Sequence, residues 1–284
     1  MERVKTGIPG FDELIEGGLP KGFNILIVGR PGTGKTIFGL QYLYTGALSG
    51  ENGLYISLDC KANDIKVQAS QFGWDLEELE RQNKLHVLEV PLNKEKHVDI
   101  FKLIEDSVKE WRISRIVFDS LSSFIFNLNQ FTLHFPIMDD LSKIPEGYKK
   151  YLGENPLYKQ MIPEKMLQEK PDPSTYAVGS IKQRMVYLMM KELALLGTTN
   201  IIITSSSSSD FESAVDGVSE YVCDGSVVMN IQKIAKKTIR SIRIQKMRGT
   251  KHELDSYIIE FLHGGIVLSE EKVFEGSKIS GVNP

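Results

Sequence analysis

The sequence predicts an α/β protein with a mainly parallel, twisted sheet flanked by helices and, near the carboxyl terminus, a set of antiparallel strands. Three observations predict this class. Apolar runs of strand length alternate with helical patterns between Phe23 and Asp119. A glycine-rich octapeptide, GRPGTGKT at 29–36, connects one such strand to the next helix. Beyond Gly225, strand-like runs follow one another with no helical pattern between them.

The amino-terminal half supplies the alternating elements. Apolar runs predict the strands Phe23–Val28, Leu54–Leu58, Leu85–Val90 and Arg115–Asp119. Apolar spacing predicts helices over 10–16, Thr36–Leu48, Ala62–Phe72 and Asp99–Trp111. The first helix is expected to end at Gly17–Gly18, because glycine readily adopts the left-handed conformation that terminates helices. Strands and helices in this order predict parallel pairing with helices on both faces.

The alternation breaks near Asn127. Residues 127–176 hold six of the 11 prolines of the chain. An irregular stretch of this length is uncommon inside a compact domain unless it is functional or disordered. We therefore predict one domain formed by 1–126 and 177–268, an insertion at 127–176 and a polar tail at 269–284.

The pattern resumes after the predicted insertion. A helix is predicted at Ser180–Leu196 and a strand at Asn200–Thr204, followed by a loop at the five serines 205–209. The last three predicted strands are Ser226–Gln232, Thr238–Met247 and Tyr257–Phe261. We expect them to form the antiparallel part of the sheet.

Composition is that of an ordinary globular protein. The 284 residues are 41% hydrophobic and 25% charged, with a net charge of −3, which argues against disorder and against a protein that coats nucleic acid. The two cysteines, Cys60 and Cys223, are too few for a disulfide framework and fit a reducing cytoplasm. No apolar run approaches the ~20 residues of a membrane span. We predict a cytoplasmic protein without a membrane partner.

The octapeptide carries the phosphate-binding pattern of a glycine, four residues and then Gly-Lys-Thr. Its glycines let backbone N–H groups face phosphate oxygens, and the following helix directs its positive end to the same place. Lys35 is expected to reach the β- and γ-phosphates of ATP, and the Thr36 hydroxyl is expected to bind Mg²⁺. The predicted nucleotide-binding residues of this segment are Gly29, Pro31, Gly32, Thr33, Gly34, Lys35, Thr36 and Ile37.

Two acids follow predicted strands. Asp119 ends an apolar strand, as expected of a Walker B acid that holds the metal with Thr36, although an aspartate there can also cap a helix. Asp59 ends the strand after the phosphate-loop helix and is the best candidate to orient the attacking water. A solvated turn residue is the alternative interpretation of Asp59.

Four blocks of sequence resemble one family. They are TGIPGFDELIEGGLPKG (Thr6–Gly22), GRPGTGKT, QFGWDL (Gln71–Leu76) and KMRGTKH (Lys246–His252). Together they resemble the KaiC-like and RadA-paralogue family of archaeal and bacterial RecA-superfamily P-loop ATPases, with a single KaiC domain. The resemblance covers nearly the whole chain outside the predicted insertion.

The resemblance implies a RecA-like core and a hexameric ring with ATP at the subunit interfaces. It also implies that residues of the KMRGTKH block act on the ATP of a neighbouring subunit, with Arg248 as an arginine finger. Without the family, the eight basic residues at 233–251 would be taken as a solvated strand face. The predicted nucleotide-binding set is completed by Lys246, Met247, Arg248, Thr250, His252 and His263. The predicted catalytic residues are Lys35, Asp59, Asp119, Lys246 and Arg248.

The sequence departs from the family at the catalytic strand end, where two adjacent acids are replaced by Asp59–Cys60. Because small displacements of a catalytic group are costly, slow hydrolysis is expected, in an oligomeric nucleotide-dependent switch. The positions that align with the phosphoacceptor pair of clock-type members hold Glu220–Tyr221, so autokinase activity is not expected.

Two alternative functions rest on the predicted insertion. Its six lysines interleaved with tyrosines, near the serine loop, suit a single-stranded DNA-binding accessory module of the RadA-paralogue type. Seven acids in the same stretch cancel the lysine charge, which favours a lid or a protein-docking element. The chain would then be a nucleotide-gated regulatory subunit that binds a partner through 127–176.

Overall fold

The structure, a computed structural model, describes residues 1–90, 100–134, 178–206, 213–234 and 237–273. Most of the predicted insertion, the last three residues of the serine loop and the end of the predicted tail lie outside these residues. In the part that is described, no helix is long and apolar enough to cross a membrane.

A nine-stranded sheet forms the centre of the fold, in the order β11-β10-β9-β8-β3-β7-β6-β4-β5. Its strands are β3 (Asn24–Gly29), β4 (Gly53–Ser57), β5 (Leu85–Glu89), β6 (Arg115–Asp119), β7 (Thr199–Ser205), β8 (Gly225–Ile234), β9 (Lys237–Met247), β10 (Ser256–Leu262) and β11 (Gly265–Val273). The six strands from β8 to β5 are parallel, and β9, β10 and β11 continue the sheet in antiparallel pairing. A separate antiparallel pair joins β1 (Arg3–Val4) to β2 (Leu19–Pro20).

Helices cover both faces because alternate residues of the parallel strands point to opposite sides. Ile25 and Ile27 of β3 enter one core cluster, whereas Leu26 and Val28 enter the other. The helices are α1 (Phe11–Leu14), α2 (Lys35–Leu48), α3 (Ala62–Ser70), α4 (Leu76–Arg81), α5 (Ile100–Trp111), α6 (Leu121–His134), α7 (Val178–Leu195) and α8 (Ser219–Val222). The first cluster includes residues of α1 to α4, and the second includes residues of α5, α6 and α7.

Because six neighbouring strands are parallel, their carboxyl ends lie together on one side of the sheet and their amino ends lie on the opposite side. We call the edge where β3 ends at Gly29 and β6 ends at Asp119 the carboxyl edge. The opposite edge, where β3 begins at Asn24 and β8 begins at Gly225, is the amino edge. In parallel sheets of this kind, ligands bind beyond the carboxyl ends of the strands.

The predicted α/β class with carboxyl-terminal antiparallel strands is confirmed, but several individual elements differ from the prediction. Helix α6 was not predicted, and its last residues, up to His134, lie in the segment predicted to be an irregular insertion. Strand β11 was not predicted, and it extends through Ser269 to Val273, the first part of the predicted polar tail. Its polar residues suit an edge strand, which needs only one partner and limited burial. Helix α4 was also missed, although Asp75 accepts a hydrogen bond from the Glu78 N–H as its cap.

The serine run is only partly described. Ser205 ends β7 rather than beginning a loop, and Ser206 forms an isolated bridge with Ala214. The predicted loop at 207–209 lies outside the described residues.

Candidate nucleotide site

At two positions of the loop between β3 and α2, the structure leaves no room for a side chain. A Cβ at Gly29 would collide with the carbonyl oxygen of Met229 on the neighbouring strand. Gly34, which precedes α2, has φ +106°, and a Cβ there would collide with the Phe261 ring. These glycines therefore let the chain turn tightly from the carboxyl edge into the first turn of α2, where free N–H groups can bind phosphate.

Lys35 lies folded over this loop. Its Nζ donates to the carbonyl oxygens of Gly29 at 2.8 Å and Arg30 at 3.0 Å. Burial lowers the pKa of Lys35 below its usual range, and the nearby Asp119 carboxylate partly opposes this shift. The ammonium group is thus positioned at the loop by weak neutral acceptors, which the charged oxygens of a triphosphate would replace favourably.

Not every predicted loop residue offers a side chain to a ligand. The Thr33 hydroxyl is buried and donates to the Arg30 carbonyl oxygen at 2.9 Å. Ile37 is buried in the core cluster that includes α2. These two residues can contribute backbone groups to nucleotide binding, but their side chains serve the loop and the core.

Thr36 and Asp119 meet as the sequence predicts. The Thr36 hydroxyl donates to Asp119 Oδ2 at 2.9 Å, and the Tyr55 hydroxyl donates to the same oxygen. Burial raises the pKa of Asp119, while the hydrogen bonds from Tyr55 and Thr36 oppose the shift. Burial and the Asp119 charge raise the pKa of Tyr55 well above its usual range, so its phenol remains a neutral donor. A hydroxyl beside a carboxylate at a phosphate loop fits Mg²⁺, which takes oxygen ligands.

Asp59 lies next to this group, two residues beyond the end of β4. Its carboxylate accepts hydrogen bonds from the hydroxyls of Ser120, at 2.8 Å, and Ser123. The adjacent Cys60 is held through its backbone, since its N–H donates to Ser57 Oγ at 3.1 Å and its carbonyl oxygen accepts from that hydroxyl at 2.6 Å. Burial, then Asp119 and Asp59, raise the pKa of Cys60, so its thiol is neutral near pH 7.

Lys246 lies at the other edge of the sheet. Gly29 pairs with Met229 of β8, which in turn pairs with Ile242 of β9. Lys246 lies four positions beyond Ile242 along β9, toward the amino edge, where it pairs with Ser226. At ~3.3 Å per residue this is roughly 13 Å along the strand, and the chain continues away from the phosphate loop. Within this chain, the structure does not bring the KMRGTKH block and the phosphate loop together.

Lys246 and Arg248 of that block both contact the segment that precedes β8. Lys246 Nζ donates to the carbonyl oxygens of Glu220 at 2.8 Å and Cys223 at 2.7 Å. Arg248 donates to the Tyr221 carbonyl oxygen at 3.2 Å and forms an ion pair with Asp224 at 3.1 Å. Burial and then the Arg248 charge lower the pKa of Lys246. Both cations are therefore held at the amino edge by the segment that precedes β8.

The remaining predicted ligands separate into two groups. Near Arg248 in sequence, Thr250 accepts a hydrogen bond from Arg3 at 2.7 Å, and the half-buried His252 contacts the Glu253 carbonyl oxygen through its ring. The Met247 side chain is buried in the core, which leaves only its backbone for a ligand. His263, in contrast, lies in the turn after β10, beside Gly73 and near the carboxyl edge. It is not close to the KMRGTKH block within one chain.

Sequence reasoning missed Arg240 and Phe261, which border the phosphate loop. Arg240 Nε donates to the Gly32 carbonyl oxygen at 3.1 Å, and its guanidinium lies 4.8 Å from the Phe261 ring centroid. The Phe261 ring in turn lies 6.4 Å from that of Phe72. The signal for Arg240 was the basic run at 233–251, but residue spacing gives no indication of which of its cations reaches the loop.

A family model for the KaiC type of ATPase matches residues 4–144 and 175–273. The chain belongs to the KaiC ATPase family. The unmatched residues 145–174 fall within the insertion predicted from the sequence. Membership of the KaiC family confirms the resemblance and makes the chain a nucleotide-binding P-loop ATPase.

Relatives of this KaiC-family chain span nearly its full length. A UPF0273 protein of Aeropyrum pernix is 29% identical over 99% of both chains. The circadian clock oscillator protein KaiC of Prochlorococcus marinus is 26% identical over 94% of this chain, which matches 45% of that protein. The crystal structure of a KaiC-like protein from Pyrococcus horikoshii has a TM-score of 0.66 and 28% identity, covering 94% of this chain and 99% of the other. These matches fit a chain with a single KaiC domain.

Proposed function

We propose that the protein is a slow ATP phosphohydrolase that works as a homo-oligomeric, nucleotide-dependent switch. Each subunit binds ATP at Gly29–Thr36 and supplies Lys246 and Arg248 to the ATP of its neighbour. In the reaction, a water oxygen forms a bond to the γ-phosphorus while the bond from that phosphorus to the bridging oxygen breaks, which gives ADP and phosphate.

The observation that carries this proposal is the separation of the two halves of the site. Each chain presents a phosphate loop at the carboxyl edge and an exposed Arg248 at the amino edge. A head-to-tail contact between copies is a heterologous interface, and such interfaces close into rings when the rotation between subunits permits. A hexamer, as implied by the family resemblance, would then contain six shared sites.

Metal binding and slow turnover follow from the residues at the carboxyl edge. Thr36 and Asp119 would hold Mg²⁺, which would neutralise charge on the phosphates. Asp59 would orient the attacking water and accept its proton. The position beside it offers only the neutral thiol of Cys60, so the site has one acid where the resembled family has two.

Complementation between variants tests the shared site. Lys35→Ala removes the phosphate-binding cation, and Arg248→Ala removes the group supplied to the neighbour. Each variant alone should lose hydrolysis, as measured by phosphate release. In an equimolar mixture that exchanges subunits, about a quarter of the interfaces join an intact loop to an intact arginine, and activity should return in proportion. Lys21→Ala, which alters an exposed lysine paired with Glu2, serves as the control with wild-type activity.

Two results would contradict the proposal. Full activity of Arg248→Ala alone would remove the arginine from the site. Failure of the mixture to recover activity, with subunit exchange verified by a labelled subunit, would mean that the site is complete within one chain.

The DNA-binding and protein-docking alternatives stay predictions. They depend on 127–176 and on the serine loop at 205–209, of which 135–176 and 207–209 lie outside the described residues. The cytoplasmic location also stays a prediction.

A further inference from the structure

Asp224 uses four groups to connect Arg248 to the strand that carries the phosphate loop. On one side, its N–H donates to the Asn24 carbonyl oxygen at 2.9 Å, and its Oδ2 accepts from the Asn24 N–H at 3.1 Å. On the other side, its carbonyl oxygen accepts from the Arg248 N–H at 2.9 Å, and its Oδ1 accepts from Arg248 Nη1 at 3.1 Å. One aspartate thus fixes both the backbone and the guanidinium of Arg248.

Asn24 provides a rigid anchor for this arrangement. It is the first residue of β3 and is 3% exposed. Its side chain donates to the Met190 carbonyl oxygen at 2.8 Å and accepts from Asn200 at 2.8 Å. Buried, satisfied polar groups of this kind hold one geometry, because any displacement leaves a donor or acceptor unpaired.

Apart from Asp224, the described residues constrain the side chain of Arg248 only weakly. Its side chain is 53% exposed, and it also donates to the Tyr221 carbonyl oxygen at 3.2 Å. Within the described ranges, Asp224 is the carboxylate that forms its ion pair. An exposed arginine has many rotamers, so a fixed direction requires a fixed partner.

We propose that Asp224 is a positioning residue for hydrolysis: it orients Arg248 toward the γ-phosphate bound by the neighbouring subunit. This inference rests on the proposed function, in which Arg248 acts across the interface. Asp224 itself lies at the amino edge of its own subunit and touches no group of its own phosphate loop. Its effect on the reaction is exerted through Arg248.

Asp224→Asn tests the role with little change to the fold. The amide oxygen of asparagine can still accept from the Asn24 N–H, and the backbone hydrogen bonds of residue 224 are unaffected. Its NH₂ group would then face the guanidinium, donor against donor, so the pair with Arg248 is lost. We expect kcat to fall about 10- to 100-fold, because a misplaced catalytic group is costly. The KM for ATP and the thermal midpoint should stay at their wild-type values, since Arg248 contributes mainly to the transition state.

A mixture locates the defect in the donor subunit. Asp224→Asn retains an intact phosphate loop, and Lys35→Ala retains a correctly held Arg248. Their equimolar mixture should therefore recover activity, whereas a mixture of Asp224→Asn with Arg248→Ala should not. Asp255→Asn is the matched control, because Asp255 pairs with Lys272 on the surface and lies outside the site.

The outcomes separate this inference from the proposed function. If Arg248→Ala is slow but Asp224→Asn keeps the wild-type kcat, the positioning role is wrong and the shared site stands. If Asp224→Asn changes KM or the thermal midpoint in step with kcat, its role is structural and the inference is overturned. If Arg248→Ala is fully active, the proposed role of Arg248 is wrong, and the inference that depends on it is wrong as well.

Discussion

The Thr36 hydroxyl donates to Asp119 Oδ2 across 2.9 Å, which connects the first turn of α2 to the end of β6. The Tyr55 hydroxyl donates to the same carboxylate oxygen from β4. Three neighbouring parts of the carboxyl edge thus meet at one partly buried acid. The geometry suits a residue whose charge is balanced by a bound metal ion and which is costly to keep ionised without one.

The first prediction concerns Asp119 and pH. Burial raises its pKa above the ordinary 3.8, so the folded protein binds this proton more tightly than the unfolded chain. The stability due to the neutral form is fully present below pH 3.8 and is lost as pH rises through the higher folded-state pKa. Asp119→Asn, which is never charged, should therefore raise the thermal midpoint at pH 7, by about 2–4 °C for each kcal/mol gained.

The measurement is thermal unfolding without nucleotide or metal, between pH 7 and pH 4. The advantage of Asp119→Asn should shrink toward the acid end, while ATP hydrolysis at pH 7 should be lost. Asp255→Asn, at an exposed position, provides the comparison. An advantage that grew on acidification would contradict the sign of the shift.

The second prediction compares two strand glycines. A Cβ at Gly29 would meet the backbone carbonyl of Met229, which cannot move without disturbing β8. A Cβ at Gly53 would lie 3.2 Å from Leu43 Cδ2, a flexible side chain that can give way. Gly29→Ala should cost about 1–3 kcal/mol of unfolding free energy and abolish ATP binding, whereas Gly53→Ala should cost about 1 kcal/mol or less. Denaturant unfolding and fluorescent-nucleotide titration would measure both, and equal effects would refute the steric account.

The third prediction concerns Arg240, whose guanidinium bonds the Gly32 carbonyl oxygen and covers Phe261. Arg240→Ala should leave the phosphate loop less ordered before ATP binds. We expect the KM for ATP to rise about 3- to 10-fold, because this ratio corresponds to the binding free energy that an exposed hydrogen bond and a cation–π contact contribute. The value of kcat should change little. Arg81→Ala, which removes an exposed ion pair with Glu78, is the control, and an unchanged KM for Arg240→Ala would show that the contact is dispensable.

The fourth prediction tests why turnover should be slow. Cys60 holds its turn through backbone groups, so its exposed side chain can be replaced without breaking the contacts to Ser57. Cys60→Glu supplies a second carboxylate beside Asp59 and should raise kcat about 3- to 10-fold. This increase is smaller than the full rate enhancement that a general base contributes. Cys60→Ser removes the thiol without adding an acid and should match the wild type. A Cys60→Glu variant no faster than Cys60→Ser would place the limit elsewhere, for example in product release.

Local sequence was sufficient where function depends on contiguous backbone. The phosphate loop needs glycines, a lysine and a threonine at fixed spacing on a strand–turn–helix, and all of these are visible in residues 29–36. The end of β6 at Asp119 was equally clear, because a fully apolar run ends there. The α/β class and the KaiC-family resemblance, both confirmed, rest on patterns of this local kind.

Tertiary structure alone decided which edge of the sheet each group occupies. Spacing predicts a basic strand at 233–251, but the antiparallel register of β9 places Lys246 at the amino edge and Arg240 against the phosphate loop. The same long-range pairing joins Asp224 to Asn24, which is 200 residues away in sequence. Motifs are set by neighbours along the chain, whereas register and edge are set by the packing of strands that the sequence keeps far apart. For this reason the sequence could predict the phosphate loop and the KMRGTKH block, and only the fold could show that they lie at opposite edges of the sheet.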